Sequence, residues 1–268
     1  MIATKHFRRT GSRMLKWVFF DIGNVLFNDD QQAFFGYRSL YEALREIHPG
    51  QTFAELMSAR EAEARQGRQW IISRIAKSRL PAEQHAAWSS HVTRSLAERY
   101  DEFHLVNPHT IEILSELRRH YRLGVIANQT LACRPSLVRR GLAEFFDVIG
   151  ISDEVGASKP EPELFRWALN KAECVPEEAV MIGDRLDNDI APAHELGFRT
   201  LLVDWLSPEH KIWQPEDPLA REFLASCARV ALFPLGSLTI RPDTRVGCLS
   251  EIPGAVRAIA RSPAKLHD

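Results

Sequence analysis

Apolar residues recur along this chain with two periods, and the changes between them divide it. Trp17-Val18-Phe19-Phe20 is an unbroken apolar run of strand length that ends at Asp21, just before Gly23 and Asn24 let the chain turn away. From about residue 30 to 104 such runs vanish. Helix-period segments replace them at 34–47, 53–65, 70–78 and 85–100, with breaks at Pro49-Gly50 and Pro81. After Asn107-Pro108 the two patterns alternate. Helices are expected at 110–120, near 136–145, at 162–172 and at 190–196, with strands at 123–127, 148–149, 179–182 and 200–203 between or after them.

Repeated strand–helix alternation implies right-handed crossovers and a parallel sheet covered on both faces. The expected fold is therefore α/β: a doubly wound, Rossmann-like core from residues 1–29 and 105–204, with an all-helical domain inserted at 30–104. Residues 205–268 are the least legible stretch and are expected to complete the core as a C-terminal extension. There is no internal repeat and no low-complexity segment.

Composition narrows the function classes. With 268 residues, 45% hydrophobic and 26% charged, the chain can bury a sizeable core. Its formal charge of -1 argues against a dedicated nucleic-acid partner or an anionic membrane surface. No run reaches the ~18 apolar residues of a membrane span. Cys133, Cys174, Cys227 and Cys248 lie far apart with no Cys-x-x-Cys pair, so neither a disulfide framework nor a zinc site is expected. Free thiols fit a reducing, cytoplasmic setting. Lys5, Arg8, Arg9, Arg13 and Lys16 form a basic, acid-free beginning without the apolar stretch of a secretory signal, and read as a solvated tail ahead of a start near Met14.

The candidate chemistry lies at the strand ends. Asp21 follows the first strand and Asn128 the strand at 123–127. Lys159 lies in Ser158-Lys159-Pro160-Glu161-Pro162 ahead of a helix, and Gly183-Asp184 closes a further strand with Asp187 and Asp189 behind it. The carboxyl edge of an open parallel sheet is where ligands bind, so all four fragments can converge there. Carboxylates and a lysine around one spot suit a phosphoryl group held with a hard cation: one carboxylate attacks phosphorus while the cations offset the gathered negative charge.

In the order and wording of these fragments, above all Lys-Pro-Glu-Pro-Glu-Leu-Phe followed by Ile-Gly-Asp-Arg-Leu-Asp-Asn-Asp-Ile, the chain resembles the haloacid dehalogenase superfamily of phosphohydrolases over about residues 16–203. The helical insert stands where that family carries its cap. The resemblance implies a magnesium-dependent phosphomonoester hydrolase acting on a small phosphorylated metabolite through an aspartyl-phosphate. Asp21 would be the nucleophile, Lys159 the phosphate-neutralising lysine and Asn128 a neighbour of the phosphate. Mg2+ would be held by Asp21, the Gly23 backbone carbonyl, Asp184 and Asp189. Monomer and homodimer are both left open.

Two positions depart from the family pattern. Gly23 stands where a second aspartate serves as general acid and base, and Ala127 where a Ser or Thr binds phosphate. Lost acid–base help is worth roughly 10² to 10⁴ in rate, so one alternative is a catalytically impaired relative that binds a phosphorylated ligand or a protein partner. A 2-haloacid dehalogenase is another, although attack on carbon leaves Asp184 and Asp189 without a use. Asp29 and Asp30 are candidates to supply the missing acid, but acids in a turn are ordinarily solvated, and that is the preferred reading. The histidines, including His85, His91 and His194, are expected at surface or half-buried positions. Trp70, Trp88 and Phe35 are assigned to packing within the insert.

Overall fold

The computed structural model describes residues 14–66, 70–204, 212–230 and 240–262. The chain opens with β1 (Trp17–Phe20) and β2 (Phe27–Asn28). Helices α1 (Asp30–Ile47), α2 (Phe53–Arg65), α3 (Ile71–Arg79), α4 (Ala82–Glu98) and α5 (Tyr100–Phe103) follow, and β3 (Leu105–Val106) pairs back on β2 antiparallel. Next come α6 (Thr110–Arg118), β4 (Arg122–Ala127), α7 (Cys133–Arg139), β5 (Val148–Ile151), α8 (Ser152–Val155), α9 (Pro162–Ala172), β6 (Ala179–Gly183), α10 (Ala191–Leu196) and β7 (Arg199–Val203). The last elements are α11 (Pro218–Val230), β8 (Thr244–Val246) and α12 (Ile252–Arg261). The basic beginning up to Arg13 lies outside the described residues.

Six of the strands make one parallel sheet in the order β5-β4-β1-β6-β7-β8. This is the expected doubly wound α/β arrangement. The apolar run of β1 is explained by burial on both faces. Val18 and Phe20 join the cluster under α6, α7 and α12, while Trp17 and Phe19 join the opposite cluster under α9 and α10. Strand order reverses around β1, which lies between β4 and β6, so the carboxyl ends of these three strands meet at the switch point of the sheet.

The helices of the insert bury one stripe each. On α1 it is Phe34, Tyr37, Leu40 and Leu44, at helical spacing. A capping box starts α2: Thr52 Oγ1 accepts from Glu55 N, and the Glu55 carboxylate accepts from Thr52 N at 2.9 Å. Trp88 is buried as expected, but Trp70 is 70% exposed.

The C-terminal extension divides between two places. β8 and α12 extend the sheet and its covering layer. By contrast α11 packs on the insert. Its stripe of Ala220, Phe223 and Cys227 joins the cluster of Phe34, Tyr37 and Leu56. Phe223 lies 5.9 Å from the Phe34 ring and 5.6 Å from Tyr37, and Arg229 bonds the buried Glu61 of α2 at 2.9 Å. An amphipathic stripe states that a helix is buried, not against which surface, and here the sheet faces are already covered by other helices. Among the described residues no helix is long and apolar enough to cross a membrane, and all four cysteines are free.

The placement of α11 sets one expectation. Phe223→Ala should destabilise the protein by about 3–5 kcal/mol, whereas Val138→Ala, at a 62% exposed position, should stay within about 0.5 kcal/mol. Urea midpoints of the two variants check this, and equal midpoints would contradict the packing role of α11.

Candidate active site

Asp21, Asn128 and Asp184 each follow directly on one of three adjacent strands, β1, β4 and β6. Lys159 arrives from the loop between α8 and α9. Its ammonium donates to Asp189 Oδ1 at 2.5 Å and pairs with Asp21 Oδ1 at 2.9 Å, and it has no solvent exposure. Asn128 holds this loop in place, because Lys159 N donates to Asn128 Oδ1 and Asn128 Nδ2 donates to Lys159 O, each at 2.8 Å. The Asn128 amide, expected beside the phosphate, is thus engaged at both ends with the Lys159 backbone.

On the other side of Asp21 stands Asp184, whose Oδ2 accepts from Asn24 Nδ2 at 3.1 Å. Asn24 has φ 53°, a left-handed conformation that Asn tolerates better than most residues, and it thereby turns its amide toward Asp184. A single π-helical turn, Leu186–Ile190, folds Asp189 back under β6, where Arg185 N donates to its Oδ2 at 3.0 Å. That return needs a glycine: a Cβ on Gly183 would overlap the Asp189 side chain. Asp187 pairs with Arg185 at 2.7 and 3.1 Å, rather than with Lys159. Asp21, Asp184 and Asp189 each offer an oxygen within 4.8 Å of the others. Among the described residues the Gly23 carbonyl accepts no backbone hydrogen bond.

This crowding disturbs every charge in the group. Burial pushes the Asp184 carboxyl well above the usual carboxylate range, and the Asp189 and Asp21 charges push it further. Burial also raises Asp189, to about 6, against the pull of Lys159. Burial opposes the charge on Lys159, yet the Asp189 and Asp21 carboxylates hold its pKa above the ordinary lysine value. One lysine therefore does not neutralise three acids. Hard oxygen donors that converge with excess negative charge are the donor set that Mg2+ takes, so these residues fit that ion.

Three contributors differ from the sequence reading, in which Asp29 is weighed as a replacement acid but preferred as solvated. Asn24 was legible only as a turn residue. Asp29, read as solvated, packs its Oδ2 where a side chain on Gly23 would begin. Burial raises its pKa to about 8, with Asp21 and Asp30 adding to the rise. His104, not singled out among the histidines, is 1% exposed, and burial drives it down to about 4. Its Nε2 faces Asp29 Oδ1 at 3.7 Å. Ala127 is buried in the core cluster and brings no hydroxyl to the site.

The family model of haloacid dehalogenase-like hydrolases matches residues 18–203, and the chain belongs to that family. Among curated relatives, a glyceraldehyde 3-phosphate phosphatase of Methanocaldococcus jannaschii is 28% identical over 71% of this chain and 85% of its own length. A phosphoserine phosphatase of Thermus thermophilus is 35% identical over 54% of this chain and 49% of its own. In shape, the crystal structure of a predicted phosphoglycolate phosphatase from Haemophilus somnus superposes with a TM-score of 0.61 at 18% identity, covering 92% of this chain and 100% of that one.

The raised carboxyls give a pH expectation. Between pH 3.8 and the raised folded values, the folded protein keeps protons that the unfolded chain releases, so this group's contribution to stability falls as pH rises through about 4 to 6 for Asp189 and onward for Asp184. In chelator, Asp184→Asn should therefore melt above wild type at pH 7.5, with the gap closing toward pH 4. Excess magnesium should reverse the order at pH 7.5. Melting temperatures across this range test it, and a wild type that outlasts Asp184→Asn in chelator at pH 7.5 contradicts it.

Proposed function

We propose that this protein is a magnesium-dependent phosphomonoester hydrolase that acts on a small phosphorylated metabolite through an aspartyl-phosphate on Asp21. The observation that carries the reading is the buried ammonium of Lys159, which touches both Asp21 and Asp189 while a third carboxylate stands close by. Such an arrangement suits a reaction in which a carboxylate must attack an anion. Asp21 supplies the attacking oxygen, and Lys159 orients it and lies ready to offset charge on the transferring phosphoryl group. Asp184 and Asp189, with Asp21 and the Gly23 carbonyl, would hold Mg2+, and Asn24 keeps Asp184 aimed inward. When bound, that ion supplies the positive charge that lets phosphate approach three acids.

The phosphatase names of the relatives support the same chemistry. Beside the site lies a cavity of about 190 Å³ bounded by Asn24 and Asp29 from the core side and by Tyr37, Arg60, Phe223 and Cys227 from the helices over it, which would take the leaving group. With roughly 30 Å³ per water in the liquid, this accommodates a short leaving group. The helices of the insert together with α11 thus act as a cap that encloses the reaction and excludes water. An impaired relative is the second reading, favoured by Gly23 and Ala127.

A panel of phosphorylated metabolites and p-nitrophenyl phosphate, assayed for phosphate release with magnesium or with chelator, separates the readings. Release is expected only with magnesium, and Asp21→Asn should lose about 10⁴-fold or more of it. Beryllium fluoride should label Asp21 alone. No release from any ester favours the impaired relative, and halide release from 2-chloropropionate in chelator favours the dehalogenase.

A further inference from the structure

An alkyl phosphate departs as a strongly basic alkoxide unless a proton reaches the leaving oxygen. The groups already placed around Asp21 are poor sources for it. Lys159 is engaged with Asp21 and Asp189, and Asp184 and Asp189 are the oxygen donors of the candidate metal site. Two residues beyond Asp21 the chain has Gly23, which has no side chain to offer. Its backbone does not demand glycine, because its φ lies outside the left-handed region. What excludes a side chain there is Asp29: a Cβ on Gly23 would overlap Asp29 Oδ2. The Asp29 carboxyl therefore reaches the space that a residue at 23 would fill, though it comes from the start of α1.

The opposite oxygen of Asp29 has its own arrangement. In the β2/β3 pair Asn28 stands opposite Leu105, so the next residues outward, Asp29 and His104, face each other. Asp29 Oδ1 and His104 Nε2 lie 3.7 Å apart, and among the described residues neither of these buried atoms has a hydrogen-bond partner. His104 Nδ1 lies 2.7 Å from the Tyr100 carbonyl oxygen, which can only accept. The Nδ1 nitrogen thus carries the hydrogen, leaving Nε2 a bare acceptor aimed at the Asp29 carboxyl. Tyr100 stacks on the imidazole at 3.8 Å and keeps the ring in this orientation. Asp29 also borders the cavity of about 190 Å³ between Asn24 and the helices over it.

We propose that Asp29 is the general acid and base of this site, supplying from the residue just before α1 the proton transfers that Gly23 cannot perform. The proposal rests on the phosphomonoesterase reading. In the first half-reaction an Asp21 oxygen bonds phosphorus, the ester P–O bond breaks, and the Asp29 carboxyl proton passes to the departing alcohol oxygen. In the second, water bonds phosphorus and gives a proton to the Asp29 carboxylate. The Asp21–phosphorus bond breaks, Asp21 returns as a carboxylate and inorganic phosphate leaves.

The test is kcat/KM with magnesium over phosphomonoesters graded by leaving-group acidity, for wild type, Asp29→Asn, Asp29→Ala and the double variant Gly23→Asp/Asp29→Ala. Asp29→Asn, which keeps the shape of the side chain, should lose about 10² to 10⁴-fold on alkyl esters and far less on p-nitrophenyl phosphate. Retained aryl turnover also reports a folded site. The double variant, which moves the carboxyl back to residue 23 in the space vacated by Asp29, should regain at least about tenfold over Asp29→Ala on alkyl esters. Equal losses along the whole series, no loss at all, or a folded double variant that recovers nothing would overturn the assignment while leaving the phosphatase reading intact. A wild type that turns over no phosphomonoester would overturn both.

Discussion

The contact on which the site depends is the Lys159 ammonium, buried between Asp21 and Asp189. Breaking a buried pair of this kind by removing one partner costs about 3–5 kcal/mol, because the other charge is left uncompensated. Much of the surrounding structure serves to hold that nitrogen in place. Asn128 clamps the Lys159 backbone, the π-helical turn after β6 brings Asp189 beneath it, and Gly183 leaves room for that return. Such an arrangement cannot relax without exposing or stranding a charge, so it holds the Asp21 carboxylate rigidly.

That rigidity is incomplete in one respect, and the gap is informative. Asp184 remains crowded by like charges, with a single amide hydrogen bond from Asn24 beside it. The protein alone thus stores electrostatic repulsion at the point where a cation and a phosphate would meet. On the proposed function, a divalent ion would relieve this repulsion and supply the positive field that an incoming dianion needs.

Over the site, α1, α2 and α11 share one apolar cluster with a small cavity beneath it. This helical layer is therefore built from two distant parts of the chain, held by the Phe223 contacts with Phe34 and Tyr37 and by the Glu61–Arg229 pair. A helix from beyond the sheet strands β1, β4, β5, β6 and β7 thus lines part of that cavity, through Phe223 and Cys227.

The sequence by itself determined what is local. The apolar run before Asp21, the Lys159-Pro160-Glu161-Pro162 start of α9 and the Gly183-Asp184 end of β6 carry their meaning in a few adjacent residues, and alternation of strands with helices is enough to imply a parallel sheet whose carboxyl edge gathers them. Tertiary structure decided what depends on pairing between distant segments. Asp29 and His104 are 75 positions apart and meet because β2 and β3 pair in one register; in isolation each reads as an ordinary polar residue. The stripe on α11 called for burial but could not choose between the sheet and the insert, and Asn128 could be placed at the site but not assigned to the Lys159 backbone. Periodicity encodes that a residue is buried and on which face of its own element. Which group lies opposite depends on register and on the packing of whole elements, to which no single segment holds the key.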